Sequence, residues 1–275
     1  MYQVSATDVS KLRKITSAGM MDCKKALEEA NGDIEEAVQI VRKKGLAIAN
    51  KRSDREASEG AVLSKVTPDA KRGAVIVLNC ETDFVAKNEN FVGFAYKVLD
   101  LALENNPANL DELKQLKLDG RTVEELVVEQ SANTGEKVDL SGYEKIEAAM
   151  VTPYIHPGNK VGTLVGFSVT ADIQVGKDVA MQIAAMAPVA LDKDDVSQKI
   201  LDQEMEIGRE QATKEGKPAD MIEKIALGKL NKFYKESTLL NQEFVKDNKK
   251  TIREYLQSIN KELTVTAFKR FSLKG

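Results

Sequence analysis

The ten residues Asn79-Cys80-Glu81-Thr82-Asp83-Phe84-Val85-Ala86-Lys87-Asn88 set a thiol, two carboxylates, a hydroxyl, an ammonium and an aromatic ring side by side. One chemistry open to them is nucleophilic: Cys80 attacks and His156, the only histidine of the chain, acts as base. That Cys/His hydrolase needs the two within hydrogen-bond reach and an oxyanion site, and no local signature supplies either. The other chemistry is recognition, in which Phe84 and its neighbouring carboxylate are presented to a partner. On residue type alone a ring reads as core, because aromatics are mostly buried. Asp83 reads as a helix N-cap, a position that Asp favours and that is compatible with a partner contact.

The surrounding pattern makes this segment a strand-to-helix junction. Upstream, 74–78 is a short apolar run rich in β-branched residues. Downstream, Phe91, Phe94, Ala95, Val98, Leu99, Ala102 and Leu103 fall at helical spacing. Residues 61–67 and 74–79 read as a hairpin across Pro68-Asp69-Ala70-Lys71-Arg72-Gly73. A similar unit follows: 144–154 alternates with Ile146, Ala148, Met150 and Thr152 on one face, His156-Pro157-Gly158-Asn159-Lys160 makes a turn, 161–169 alternates again, and 177–186 is a helix. His156 reads as a turn residue making a hydrogen bond. Between the units lie helices at 110–117 and 123–130, the second opened by the capping box Thr122-x-x-Glu125.

Three short helices precede this core. Ser5-x-x-Asp8 opens the first, Gly19 breaks the chain before Met20, Cys23 and Leu27, and Asn31-Gly32 ends the second. Asp33-x-x-Glu36 caps the third, with Ile34, Ala37, Val38 and Val41 on its apolar face. Met20 falls on the apolar face of its helix and Met21 on the exposed side. After Pro188, segments 196–215 and 218–236 are separated by Gly216-Lys217-Pro218, read as a stop and a first helical residue. Val196, Ile200, Ile207, Met221, Ile222, Ile225 and Phe233 form a narrow stripe, as in an antiparallel coiled coil. Such a hairpin either projects to meet a partner or folds onto the core. Thr251-x-x-Glu254 caps a further helix and 263–271 alternates as a closing strand. The class is therefore α+β. Its parts are a three-helix module and linker (1–55), a first core half (56–140) and a second (141–275) carrying the hairpin at about 190–236.

Composition narrows the functions. The chain has 275 residues, 30% charged and 42% hydrophobic, with a net charge of -3, and nothing global points to nucleic acid or an anionic membrane. Residues 1–10 lack a signal-peptide pattern and no run has transmembrane length, which makes the cytoplasm the expected location. Cys23 and Cys80 are too few for a disulfide scaffold, and no Cys/His spacing suits zinc. Cys23 reads as a buried thiol on the face of Met20 and Leu27. Neither GxxxxGK(S/T) nor GxGxxG follows a strand, so no nucleotide cradle, cofactor or metal is expected.

Met20-Met21-Asp22-Cys23-Lys24-Lys25-Ala26-Leu27, followed by Asn31-Gly32-Asp33-Ile34, resembles the N-terminal signature of bacterial elongation factor Ts. Residues Asn79 to Lys87 of the junction resemble the second signature of that family. Tyr154-Ile155-His156, Lys160-Val161-Gly162, Gly216-Lys217-Pro218 and Phe244-Val245 match further positions in order. The resemblance implies a guanine-nucleotide exchange factor for elongation factor Tu, without covalent chemistry. It implies that Thr82, Asp83, Phe84 and Val85 intrude on the GTPase domain near its Mg²⁺ and phosphate site. It further implies that Met20 and Met21 contact that domain, that the second core half grips another domain, and that His156 has a structural or interface role. Family members often continue into a further helix, whereas this sequence stops at Lys274-Gly275. Glu243 stands where proline is frequent, and Pro157 occupies a variable turn position. Two questions stay open: whether the hairpin meets Tu or makes a homodimer, and whether the three helices, resembling a ubiquitin-associated domain, make the chain a general adaptor.

Overall fold

The computed structural model describes residues 3–16, 18–52 and 54–273, with only the backbone described at 48–50; the first two residues of the 1–10 segment and the Lys274-Gly275 stop lie outside them. The N-terminal segment forms α1 (Ala6–Thr16), α2 (Met20–Glu29) and α3 (Ile34–Lys51). Ser5 Oγ accepts from the Asp8 backbone N–H at 3.1 Å, and Asp33 Oδ1 accepts from that of Glu36 at 2.9 Å. Both satisfy helix N–H groups that have no partner within the helix. Leu12, Cys23, Leu27, Ala37 and Val41 make a small apolar cluster. Cys23 is fully buried as its spacing predicts, but Met20 is 63% exposed, so its place on the apolar face is corrected. The buried face of α2 is made by Cys23, Ala26 and Leu27, and Met20, at the helix start, lies outside it.

The first sheet pairs β1 (Glu59–Val66) with β2 (Arg72–Cys80) in an antiparallel hairpin. The chain then makes α4 (Asp83–Ala86), α5 (Glu89–Asn105) and α6 (Leu110–Gln115). A two-residue ribbon, β3 (Lys117–Leu118) and β4 (Arg121–Thr122), leads into α7 (Val123–Thr134). The Thr122/Glu125 capping box is formed in both directions. Next, β5 (Asp139–Glu147) pairs with β2 and gives the order β1-β2-β5. The 140/141 border read from the sequence falls inside this strand.

The alternating stretch 144–154 is not one strand. β5 ends at Glu147, and β6 (Met150–Ile155) starts a second sheet. At the bend, the Ala148 N–H donates to the Lys71 carbonyl at 3.0 Å and the Val151 N–H to that of Ala70 at 2.6 Å. A period of two cannot register a bend that preserves spacing: Ile146 packs between the sheets while Met150 packs on the outer side of the second. β7 (Val161–Phe167) and α8 (Ile173–Met186) follow, then α9 (Gln198–Lys214) and α10 (Ala219–Ser237). A ribbon of β8 (Glu243–Phe244) and β9 (Asp247–Thr251), then α11 (Ile252–Ile259) and β10 (Val265–Ser272), complete the chain. The second sheet runs β10-β7-β6, so in each sheet the second strand in sequence is central.

The two sheets meet face to face and each is backed by helices. Val62, Val75, Val77, Val151 and Leu164 fill the contact between them. Ala61, Leu63, Ile76 and Leu78 point the other way, into a core shared with Phe91, Val98 and Leu99 of α5. This is the alternation of adjacent strand residues between faces. Glycine permits the close approach: a Cβ at Gly162 would sit 2.7 Å from Val62 Cγ1, and one at Gly73 would sit 2.8 Å from Val151 Cγ1.

The helices α9 and α10 form an antiparallel hairpin turned by Gly216 at φ 69°. Pro218 is the N-cap of α10, not its first helical residue, because its ψ of 144° keeps it extended. The seam also differs from the expected stripe. Only Gly208, Ala212 and Ala226 are buried within these helices, while Ile207 and Met221 are exposed. A Cβ on Gly208 would lie 3.0 Å from Ala226 Cα, so small residues let the backbones approach and push large side chains to the flanks. No residue of α9 or α10 joins an apolar cluster of the body, so the hairpin projects.

Candidate functional site: an anchored aromatic at a strand exit

At the end of β2 the chain stays extended through Thr82 (φ -122°, ψ 155°) and then winds into the four residues of α4. Thr82 is the N-cap, its Oγ1 accepting from the Val85 N–H at 3.4 Å, which corrects the assignment of that role to Asp83. Asp83 is instead the first helical residue, where its charge suits the helix dipole. Its carboxylate lies 2.6 Å from Lys87 Nζ, a hydrogen bond that lowers the Asp83 pKa and raises that of Lys87. Val85 packs against the first core and Ala86 is part of it, fixing the inner side of the turn. Phe84 points outward with 83% of its surface exposed, so the core reading of this ring is overturned.

A turn of four residues is far shorter than a helix that is stable alone. Two carboxylates from different segments hold it. Glu136 Oε2 accepts from the Glu81 and Thr82 backbone N–H groups at 3.1 and 3.0 Å, and its Oε1 accepts from the Thr82 hydroxyl at 2.6 Å. In return, Glu81 Oε1 accepts from the Lys137 backbone N–H at 2.6 Å. Arg52 and Arg55 donate to Glu81 at 3.0 and 2.9 Å. The Lys137 N–H, with the two guanidinium groups, depresses the Glu81 pKa to about 2 against the opposing effect of burial. Glu136 was not singled out from the sequence, because it acts 54 residues from Thr82. The available signal is its place just after Gly135, whose φ of 69° ends α7.

The turn joining β6 and β7 lies at the same end of the molecule. The Val62 N–H of β1 donates to the Asn159 carbonyl at 2.7 Å, and Lys160 Nζ is 3.1 Å from Glu59 Oε1. The Lys160 charge also contributes, as a minor cause, to lowering the Asp83 pKa. His156 is exposed in this turn and its Nδ1 is 3.0 Å from the Tyr154 hydroxyl. Cys80 is fully buried and its Sγ faces the Thr82 carbonyl at 3.2 Å. Burial, helped by the charges of Glu136 and Glu59, pushes its thiol up to about 12, the reverse of what a nucleophile needs. Cys80 and His156 thus have separate hydrogen-bond partners and form no dyad. Among the described residues, no group of His, Cys, Asp and Glu side chains could hold a metal ion.

Met20 and Met21, each 63% exposed, stand at the start of α2. A cleft of about 1320 Å³ lies between α1 and α3 on one side and α5 and α7 on the other, with Val85 in its wall. Arg13, Lys14, Arg42 and Lys97 line it together with Ile15 and Phe94.

The profile of the family described as Elongation factor TS matches residues 81–274, which covers the junction, the second sheet and the hairpin. The chain belongs to the elongation factor Ts family. It is 52% identical over 270 residues to elongation factor Ts of Amoebophilus asiaticus, covering 97% of this chain and 98% of that protein. Elongation factor Ts of Porphyromonas gingivalis is 52% identical over 275 residues, covering 99% of each chain. That of Hydrogenobaculum sp. (strain Y04AAS1) is 48% identical over 275 residues, covering 98% of each. The chain is a bacterial-type translation elongation factor, and nucleotide exchange on elongation factor Tu is the known role of elongation factor Ts. Among the described residues no helix is long and apolar enough to cross a membrane.

Proposed function

We propose that this member of the family releases GDP from elongation factor Tu by driving Phe84 into the GTPase domain beside the Mg²⁺ and phosphate site. The observation that carries the reading is the Phe84 ring, 83% exposed on a turn anchored from below and from both flanks. A large apolar ring held out in water loses nothing on being buried elsewhere. Thr82, Asp83 and Val85 set its direction, and no bond of the nucleotide is made or broken.

Magnitude limits what the ring can do. Burying a Phe is worth about 1.5–3 kcal/mol, whereas a ten-thousandfold faster release needs about 5.5 kcal/mol. Other surfaces must share the work. In this reading Met20 and Met21 contact the GTPase domain, the second sheet with its helices grips a further domain, and the turn at His156 borders the junction. The N-terminal helices serve as a docking module of ubiquitin-associated type, the two sheet-and-helix halves are related, and the factor acts in the cytoplasm. The projecting hairpin, with Ile207, Met221 and Leu227 exposed on it, is open to contact with either Tu or a second copy. Coupling is reciprocal, so GDP weakens the factor's hold on Tu as much as the factor weakens that of GDP.

The deciding experiment loads elongation factor Tu with labelled GDP and follows release with and without the protein. Acceleration is expected; unchanged release by folded protein overturns the reading. Analytical ultracentrifugation of the chain and of a variant lacking 198–237 tests the hairpin, with loss of a dimer expected only in the shortened chain.

A further inference from the structure

The geometry points to a further residue for exchange, Glu136, which positions Phe84 without touching the partner. This inference rests on the wedge reading above and adds to it how a four-residue turn remains stiff enough to push. The Glu136 side chain carries three hydrogen bonds, all to the residues that launch α4. The Thr82 hydroxyl gives its proton to Glu136 Oε1, which leaves its lone pair for the Val85 N–H. Glu136 thus fixes the rotamer on which the N-cap depends, and Phe84 lies between the capping residue and the capped N–H.

Glu136 is itself held. The N–H of its own residue donates to Thr134 Oγ1 at 3.2 Å, the Gly135 N–H closes α7 on the Ser131 carbonyl at 3.0 Å, and the neighbouring Lys137 N–H is gripped by Glu81. Each strand of this clasp therefore puts a carboxylate on the other's backbone. Glu81 also receives Arg52 and Arg55, and Lys137 Nζ donates to the Arg55 carbonyl at 3.0 Å. The segment that leaves α3 is tied to the same knot, so the clasp sets the wedge and the root of the N-terminal helices together. The Glu136 carboxylate satisfies the backbone N–H groups of Glu81 and Thr82, and by doing so it fixes the two residues that immediately precede Asp83 and Phe84. Glu136 belongs to none of the apolar clusters of the sheets or of the inner side of α4, so its removal is expected to act on the junction first.

The test uses full-length Glu136→Gln and Glu136→Ala, with Phe84→Ala and the double variant Glu136→Ala/Phe84→Ala. GDP release from elongation factor Tu is measured against factor concentration, and ¹⁹F relaxation is measured on protein carrying fluorophenylalanine, with the Phe84 signal assigned through Phe84→Ala. Expected for Glu136→Ala is a release rate at saturation about tenfold lower, a half-saturating concentration changed by less than about threefold, and a more mobile Phe84 ring. Glu136→Gln, which keeps one acceptor oxygen and the side-chain volume, is expected to fall between it and the unchanged protein. In the Phe84→Ala background the Glu136 substitution is expected to have no further effect. Full release rate and unchanged Phe84 relaxation in Glu136→Ala, with Phe84→Ala slow, overturn the positioning role and leave the wedge standing. Undiminished release by Phe84→Ala overturns the wedge and this role with it. If Glu136→Ala fails to fold, Glu136→Gln decides by the same two readouts.

Discussion

The short turn α4 and the long hairpin α9–α10 both carry apolar side chains into solvent, and they are kept in shape by opposite means. The hairpin supports itself: Gly208, Ala212 and Ala226 close its seam, and Arg209 reaches Glu223 through two hydrogen bonds at 2.9 and 2.8 Å. The turn has no such resource and borrows its rigidity from residues 52, 55, 136 and 137. A long element can be added to a fold as a self-contained piece. A short one that must resist force has to be built into the fold from several directions.

Substitutions can break this contrast. The largest effect expected is on activity: Phe84→Ala slows factor-stimulated GDP release by ten- to a hundredfold, corresponding to about 1.5–3 kcal/mol of lost apolar burial. Its thermal midpoint should stay within a degree or so, since the ring is in water; a large drop in calorimetry means that Phe84 supports the fold. Gly208→Val is the matching assault on the hairpin, where an inserted side chain meets the Ala226 backbone. Overpacking of about 1–3 kcal/mol should appear as lost amide-exchange protection confined to 198–237, with the sheets unaffected. Thr82→Ala removes the cap of α4 for about 1 kcal/mol. Its effect on release should exceed its effect on melting, whereas a cap inside the hairpin would show the reverse.

A smaller effect separates the two by pH. Glu81 has a depressed pKa of about 2 against an ordinary 4.5, so its share of stability is complete above about 4.5 and is lost as pH falls toward 2. A carboxylate titration followed by NMR should find Glu81 still charged at pH 3.5, and Arg55→Ala should move its midpoint upward. The exposed Arg209–Glu223 pair should matter least: Arg209→Ala is expected to leave the urea midpoint nearly unchanged, because solvent screens the pair.

Sequence pattern revealed the parts whose period matches their burial. The seven residues of the α5 stripe are all buried, and the capping boxes at Thr122 and Thr251 form as their spacing predicts. Where the pattern misled, a specific cause exists. The alternation through 144–154 runs unbroken across a bend because the bend keeps the spacing and changes only which core each side chain enters. The hairpin stripe misled because a close helix pair selects small residues at its seam, so size opposes hydrophobicity as the signal. Met20 shares the spacing of Cys23 and Leu27 but is the first residue of its helix, and the burial of that face begins only at Cys23. Of the site, Phe84 and Asp83 stood out locally and Thr82 only through the family resemblance, while Glu136 acts through a contact made only once α7 and β2 have met.

The glycines between the sheets have a mechanical consequence. With Gly162 against Val62 and Gly73 against Val151, the backbone of one sheet meets the side chains of the other directly at these points, and the close-packed contact leaves little room to compress. When two bodies are pressed together, strain collects in the more compliant one. If Phe84 acts as the proposed wedge, a factor built this way deforms little at its base, and the work of docking is passed to whatever loops the partner places in front of the ring.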